Sequence, residues 1–248
     1  MEKTLFCAIT LFLACCLFSC FNTKENSSPL QGKYLGSVPA ADCPGIDIEL
    51  IFTANKYTLA YAYQDRQGIF ISSGSFKSDG EKIKLLGDGA RGAFENYLIQ
   101  NDKLILLSPS GEVPADTRAY TLSKSDLKVS MTQIVNKYWK LVELNGKPVN
   151  YAENSKIDTT ARMTLKPDGM LNGNASCNTF SGAFTFHGSG RIRFSRIAIT
   201  QKMCLDMSVE TEFMNVLQKA DSYIIDGERL ILNRARMAPL ARFEAVYM

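Results

Sequence analysis

The sequence predicts a mainly β protein of two antiparallel modules, the first all-β and the second an α+β unit with one packed helix. Three observations predict it. Between residues 32 and 124 apolar residues recur at every second position in short runs, without a helical stripe. Turn pairs such as Asp79-Gly80, Asn101-Asp102 and Asn145-Gly146 separate the runs. Only from Val209 to Ala220 does the period become that of a long helix.

In the first module Ile46, Ile48, Leu50 and Phe52 alternate with Asp47, Glu49 and Ile51, and Tyr57, Leu59, Tyr61 and Tyr63 alternate with small residues. A period of two turns one of these sets toward a core. Further strands are expected at 68–76, 82–86, 94–100, 103–107 and 118–122. With no helix to cover a face, seven or eight such strands bury their apolar side by curling into a small barrel or a sandwich. Residues 123–138 begin polar and then read as a short helix, with Ser130 and Gln133 spaced as a capping box. The joint between modules is placed at 125–137.

Trp139 and Leu141 open the second module, and Asn145-Gly146 turns the chain back. Strands are expected at 161–165, 170–172, 181–186 and 191–199. Val209, Phe213, Val216, Leu217 and Ala220 then share one helical face; Ser208 is placed to cap it, and Glu210 and Glu212 sit in its first turn, where the dipole favours acids. Asp226-Gly227 turns into a strand at 229–233, and 240–247 closes the chain.

The N-terminus has a different character. After Lys3, residues 5–18 are apolar, Thr or Cys, a run shorter than the ~20 residues a spanning helix needs. It reads as a signal peptide over 1–19 and is left out of the fold. Leu17-Phe18-Ser19-Cys20 resembles the bacterial lipobox, which implies cleavage before Cys20, a lipid on that cysteine and a polar tether over 20–31. Phe21, where enterobacterial sorting rules place Asp for retention, points to the outer membrane. More than one acyl chain on Cys20 would hold the protein at a membrane. Of seven cysteines, three leave with the signal and Cys20 carries lipid; Cys43, Cys177 and Cys204 remain, one pair and one leftover in an oxidising compartment. The net charge of +3 is too small to imply nucleic acid as a partner.

Two resemblances go further. Gly32-Lys-Tyr-Leu-Gly36, Pro39-Ala-Ala-Asp42-Cys43-Pro-Gly45-Ile46, Gly74-Ser-Phe76 and Tyr120-Thr-Leu122 resemble the NlpE N-terminal domain of outer-membrane lipoproteins tied to copper tolerance and envelope stress. That resemblance covers residues 32–124 and implies a lipocalin-like small barrel. The family has Cys-x-x-Cys where this chain has Ala40 and Cys43. A lone Cys43 makes neither a redox disulfide nor a two-thiolate site by itself. His187 is the only histidine, so no imidazole cluster replaces the lost thiol; Met203 and Met207 around Cys204 offer soft sulfur to Cu(I), although such a segment beside a helix is more often core.

Trp139-Lys-Leu-Val-Glu-Leu-Asn-Gly146, Leu171-Asn-Gly-Asn-Ala-Ser-Cys177-Asn178-Thr-Phe180-Ser-Gly182 and Thr200-Gln-Lys-Met203-Cys204 resemble the META/HslJ family, over residues 138–248. The resemblance implies an antiparallel sheet with one packed helix, and cysteines at the places of Cys177 and Cys204 that are expected to form a disulfide. Asn178 is expected to fix a turn.

No catalytic set emerges. A Ser–His–acid site would need His187, which falls in the glycine turn Phe186-His-Gly-Ser-Gly190, expected in solvent. No phosphate-binding loop or zinc spacing is present. Arg191, Arg193 and Arg196, with Arg234 and Arg236, would form a cationic patch if their strands were neighbours. The expected function is that of a non-enzymatic envelope lipoprotein without cofactor, acting in envelope or heat stress, or copper tolerance, by binding a partner protein or ligand. A carrier of a small apolar ligand inside the barrel, or a copper-binding resistance protein, are the alternatives.

Overall fold

The computed structural model describes residues 30–87, 92–151, 158–235 and 237–247. The signal peptide, Cys20 and the tether up to residue 29 lie outside the described residues.

Strands β1 (Gly32–Val38), β2 (Ile46–Thr53), β3 (Lys56–Tyr63), β4 (Phe70–Ser78), β5 (Lys82–Leu86), β6 (Asn96–Gln100), β7 (Lys103–Leu106) and β8 (Thr121–Lys124) follow each other around a closed barrel. Closure pairs β8 with β1 through Leu35 and Ser123. Of the two ways to bury one face, the chain takes the barrel, which leaves no free edge. Its interior is filled by the predicted set: Ile48, Leu50, Phe52, Tyr57 and Leu59, joined by Tyr34, Tyr97, Leu104 and Leu122. The strand expected at 118–122 starts late because Arg118–Tyr120 form a 3-10 turn, held by Asp116 Oδ1 accepting from the Arg118 amide at 3.1 Å.

The second sheet uses β9 (Tyr138–Leu144), β10 (Lys147–Pro148), β11 (Arg162–Leu165), β12 (Met170–Asn174), β13 (Thr179–Phe186), β14 (Ile192–Ile199), β15 (Ser222–Asp226), β16 (Arg229–Asn233) and β17 (Ala241–Val246). It runs β14-β13-β12-β11-β9-β17-β16-β15 and curls until Arg191 bridges Ser222. Helix α2 (Ser208–Lys219) lays Phe213, Val216 and Leu217 on the curl. The Phe213 ring stands 5.6 Å from both Phe180 and Phe243. Two details depart from expectation. Ser208 is the first helical residue rather than the cap, and the Asp206 carboxylate receives its amide at 2.8 Å. Strand β15 is additional; its apolar residues follow the helix directly and blur the change of period.

The two modules share a core. Ala60, Ala62 and Ile69 of the barrel belong to the same buried cluster as Trp139, Phe186 and Tyr223. The stretch expected to be a joint is packed as well: Ser130 caps the short helix α1 (Met131–Ile134) by accepting from the Gln133 amide at 3.2 Å, and Met131, Ile134 and Val135 enter that core. Lys33 of β1 donates to the carbonyls of Leu127 and Val129.

The alternation in β2 predicts one buried face, yet both faces are buried. Asp47 is 5% exposed and Glu49 only 1%. They point outward from the barrel, into the seam. Asp47 accepts from the Gly188 amide at 2.5 Å and from Gln64 Nε2 at 2.7 Å. Glu49 Oε2 accepts from the amides of Met131 at 2.7 Å and Thr132 at 3.3 Å. Its Oε1 is buried with no hydrogen-bond partner among the described residues. Elsewhere in the seam the Ile69 amide donates to the Pro167 carbonyl at 2.7 Å, and Gly169, at φ +82°, lies so close that a Cβ there would fall 2.7 Å from the Gly68 nitrogen.

Burial raises the Glu49 pKa above the ordinary carboxylate value, against the opposing pull of Ser130, of the two amides and of Lys33. A raised folded-state pKa favours the protonated fold, so its contribution is fully present below the unfolded-state value and fades as pH rises through the folded one. Glu49→Gln is therefore expected to flatten the stability loss between weakly acid and neutral pH, measured by urea unfolding across that range. Glu49→Ala, which orphans two buried amides, is expected to cost about 1–3 kcal/mol at every pH in the same measurement.

Candidate functional site

The conspicuous barrel motif forms the rim of one open end. Pro39 to Gly45 connects β1 to β2, with Ala40 packed on the barrel core. Arg66, from the loop after β3, reaches across to the Asp42 carboxylate at 2.9 Å and its carbonyl at 3.0 Å, and stacks over Tyr63 at 5.6 Å. The Gln64 amide donates to the Gly45 carbonyl at 2.9 Å. A side chain at 45 would press on the Val38 carbonyl at 3.1 Å, which explains the glycine. Cys43, half-buried and the one free cysteine among the described residues, donates its thiol to the Gly45 carbonyl at 3.2 Å. Asp42, Cys43 and Gly45 thus brace a rim, with Pro39 exposed on it. Inside it Tyr61 touches Phe94 with centroids 4.5 Å apart and stacks on Phe70 at 4.9 Å.

The second motif forms a knot at one end of the META-like sheet. Cys177 and Cys204 are bridged, with Cα atoms 6.2 Å apart and a sequence separation of 27. Asn178, buried beside the bridge, was expected to fix a local turn, but it joins three segments. Its Oδ1 accepts from the Lys202 amide at 2.7 Å and Thr200 Oγ1 at 2.8 Å, and its Nδ2 donates to the Lys202 carbonyl at 3.0 Å and Glu210 Oε1 at 3.0 Å. The Asn178 amide donates to Glu210 Oε2 at 2.8 Å. Glu210, read as a dipole partner, is a buried acceptor that fixes α2 to the sheet. Gly182 lies where the β13–β14 register shifts between Ser181 and Ala183, with the Ser195 carbonyl 3.0 Å from where its Cβ would be.

The candidate sulfur ligands do not come together. Cys204 is in the bridge, Cys43 sits in the other module, and Met203 is 99% exposed rather than core, with Leu205 equally bare beside it. Among the described residues no group of three or more His, Cys, Asp or Glu is arranged to hold a metal. His187 is not a free turn residue: its Nδ1 faces Asp65 of the barrel at 3.0 Å and its Nε2 meets Thr185 Oγ1 at 3.1 Å. The arginine patch is dispersed. Arg191 pairs with Asp221 at 3.3 Å, Arg196 turns to Gln67 of the barrel, β14 and β16 are not neighbours, and Arg236 lies outside the described residues.

The seam contacts of Asp47, Glu49 and Gln67 were not singled out from sequence. Two acids inside an Ile-rich strand, where acids are poor formers, are the one signal that marks Asp47 and Glu49.

Fold and motifs define a two-module β protein, a closed barrel fused to a curled sheet with one helix, whose distinctive residues brace loops. Residues 34–117 match the model of the NlpE N-terminal domain, and residues 132–247 that of the META domain, in that order. This pairing supports an envelope lipoprotein. No curated protein matches the chain. Among solved structures it is similar to a candidate lipoprotein from Shewanella oneidensis, at 28% identity and a TM-score of 0.35, over 43% of this chain and 98% of that one. It is also similar to a DUF4847 family protein from Bacteroides vulgatus, at 20% identity and a TM-score of 0.34, over 45% and 93%.

Replacing both Cys177 and Cys204 by Ser is expected to lower stability by about 3 kcal/mol, read as a shift of the urea midpoint. Asn178→Ala leaves the bridge and the backbone bond to Glu210 Oε2 but removes the donor to buried Glu210 Oε1, and a loss of about 1–3 kcal/mol is expected in the same assay.

Proposed function

We propose that the chain is an outer-membrane lipoprotein, held by acyl chains on Cys20, that serves envelope stress tolerance by recognising another molecule rather than transforming one. The observation that supports this reading is the order of its parts: a leader ending in Leu17-Phe18-Ser19-Cys20, then an NlpE N-terminal domain, then a META domain. In this reading the lipid does the membrane work. The shared core holds both modules together, which in this reading lowers the ordering entropy that association with an envelope partner costs. Ala40, standing where the resemblance calls for a second thiol, weighs against copper as the ligand.

Metabolic labelling with an alkyne fatty acid tests the anchor: the protein is expected to take label and to fractionate with outer membranes, and Cys20→Ala to abolish both. Crosslinking in live cells, followed by identification of captured proteins, tests recognition. Absence of label on the unsubstituted protein, or an unchanged envelope-stress reporter on deletion of the gene, would overturn the reading.

A further inference from the structure

Along the barrel axis a continuous cluster of buried side chains, among them Leu50, Tyr57 and Tyr97, forms the core. The rimmed end is different. There a half-open cavity of about 320 Å³ is lined by Val38, Ile46, Phe94 and Leu107, with Pro39 and Ala93 at its lip. That volume lies at the lower end of the range for small-molecule sites. We propose that this mouth binds one small, neutral, apolar molecule, aliphatic or aromatic, which enters along the rings of Phe70, Tyr61 and Phe94.

The wall chemistry sets the class of ligand. Among the described residues that line the cavity, only Ser108 and Tyr120 have polar side chains, and neither is charged. Ser108 Oγ is already engaged by the Glu112 amide at 3.0 Å. Arg66, which lies over Tyr63 beside the ring path, is committed to Asp42. A charged ligand would lose its hydration there without gaining a partner. An apolar one releases water from the walls.

The ring path provides the entrance. Phe70, 49% exposed, stacks at 13° on Tyr61, and Tyr61 touches Phe94 on the cavity wall. A half-exposed ring continuous with a buried pocket is a landing surface that a closed core does not need. The position favours a freely diffusing ligand over a membrane lipid. The pocket sits at the Val38–Ile46 end of the β1–β2 pair, whereas the chain enters the barrel at the opposite Gly32–Phe52 end. Those ends are six residues, or roughly 20 Å, apart along the strand. The cavity is also smaller than two long acyl chains require.

The proposal deepens the recognition reading but does not depend on lipid at Cys20, so its failure would leave the labelling result intact. The test uses the chain from Phe21 onward, which keeps every described residue and avoids detergent. Titration with the neutral fluorophore phenylnaphthylamine is expected to give a saturable rise at one site per chain, reversed by octanol or naphthalene. Ala93→Trp and Pro39→Trp, both at exposed lip positions, are each expected to weaken binding by about tenfold or more, equivalent to ~1.4 kcal/mol. Gln201→Trp, on the cystine loop of the other module, is expected to leave it unchanged. In the unsubstituted protein the methyl resonances of Val38 and Leu107 should shift on ligand addition, a readout independent of any variant. Non-saturable binding, unshifted methyls, full binding in both lip variants, or displacement by a diacyl phospholipid alone would overturn the proposal.

Discussion

The buried carboxylate of Glu49 at the seam is the constraint on which the arrangement of the two modules depends. A carboxylate taken out of water needs donors in fixed places, and a misplaced donor costs as much as a missing one. Here the donors are the first amides of α1, from the segment that leaves the barrel and enters the second sheet. Asp47, two residues earlier on the same face, takes the Gly188 amide from the β13–β14 turn. Two neighbouring side chains of one strand therefore fix two distant parts of the other module. Apolar contacts among Ala60, Ala62, Ile69 and the second core provide most of the burial, but they are tolerant of sliding; the directional bonds to Asp47 and Glu49 set the register.

The same economy of directional bonds recurs at the other end of the molecule. Asn178 meets Lys202 through both amide atoms and lies against Glu210, so one buried side chain locates the cystine loop and the start of α2 together. The disulfide limits the unfolded chain, while Asn178 and Glu210 decide where the loop sits in the folded one. With that loop fixed, Met203 and Leu205 stay in water.

The rim of the barrel shows how a motif can outlast the chemistry with which it is associated. Ala40 occupies the position where a second thiol would stand, and Cys43 is bonded to its own loop. What remains is mechanical: Gly45 permits close approach to Val38, Asp42 anchors Arg66, and the loop holds the mouth open beside its rings. Recognition at that mouth needs a fixed shape, and the brace supplies one.

Most of the architecture was legible in the chain itself. Period-two runs and turn pairs determined the strands, because side chains on a pleated strand alternate whatever they meet. The stripe from Val209 to Ala220 determined the helix for the corresponding reason, and the block around Cys177 and Cys204 marked the place of the bridge. Other features were decided only by tertiary structure. That Asp47 and Glu49 are buried, that His187 faces the barrel and that Met131, Ile134 and Val135 of the stretch between the modules enter the core all follow from one module packing on the other. A local pattern reports which residues share a face; it does not report what covers that face. The contact pairs concerned, such as Glu49 with Met131 and Asp47 with Gly188, lie far apart in sequence, and no periodicity links them.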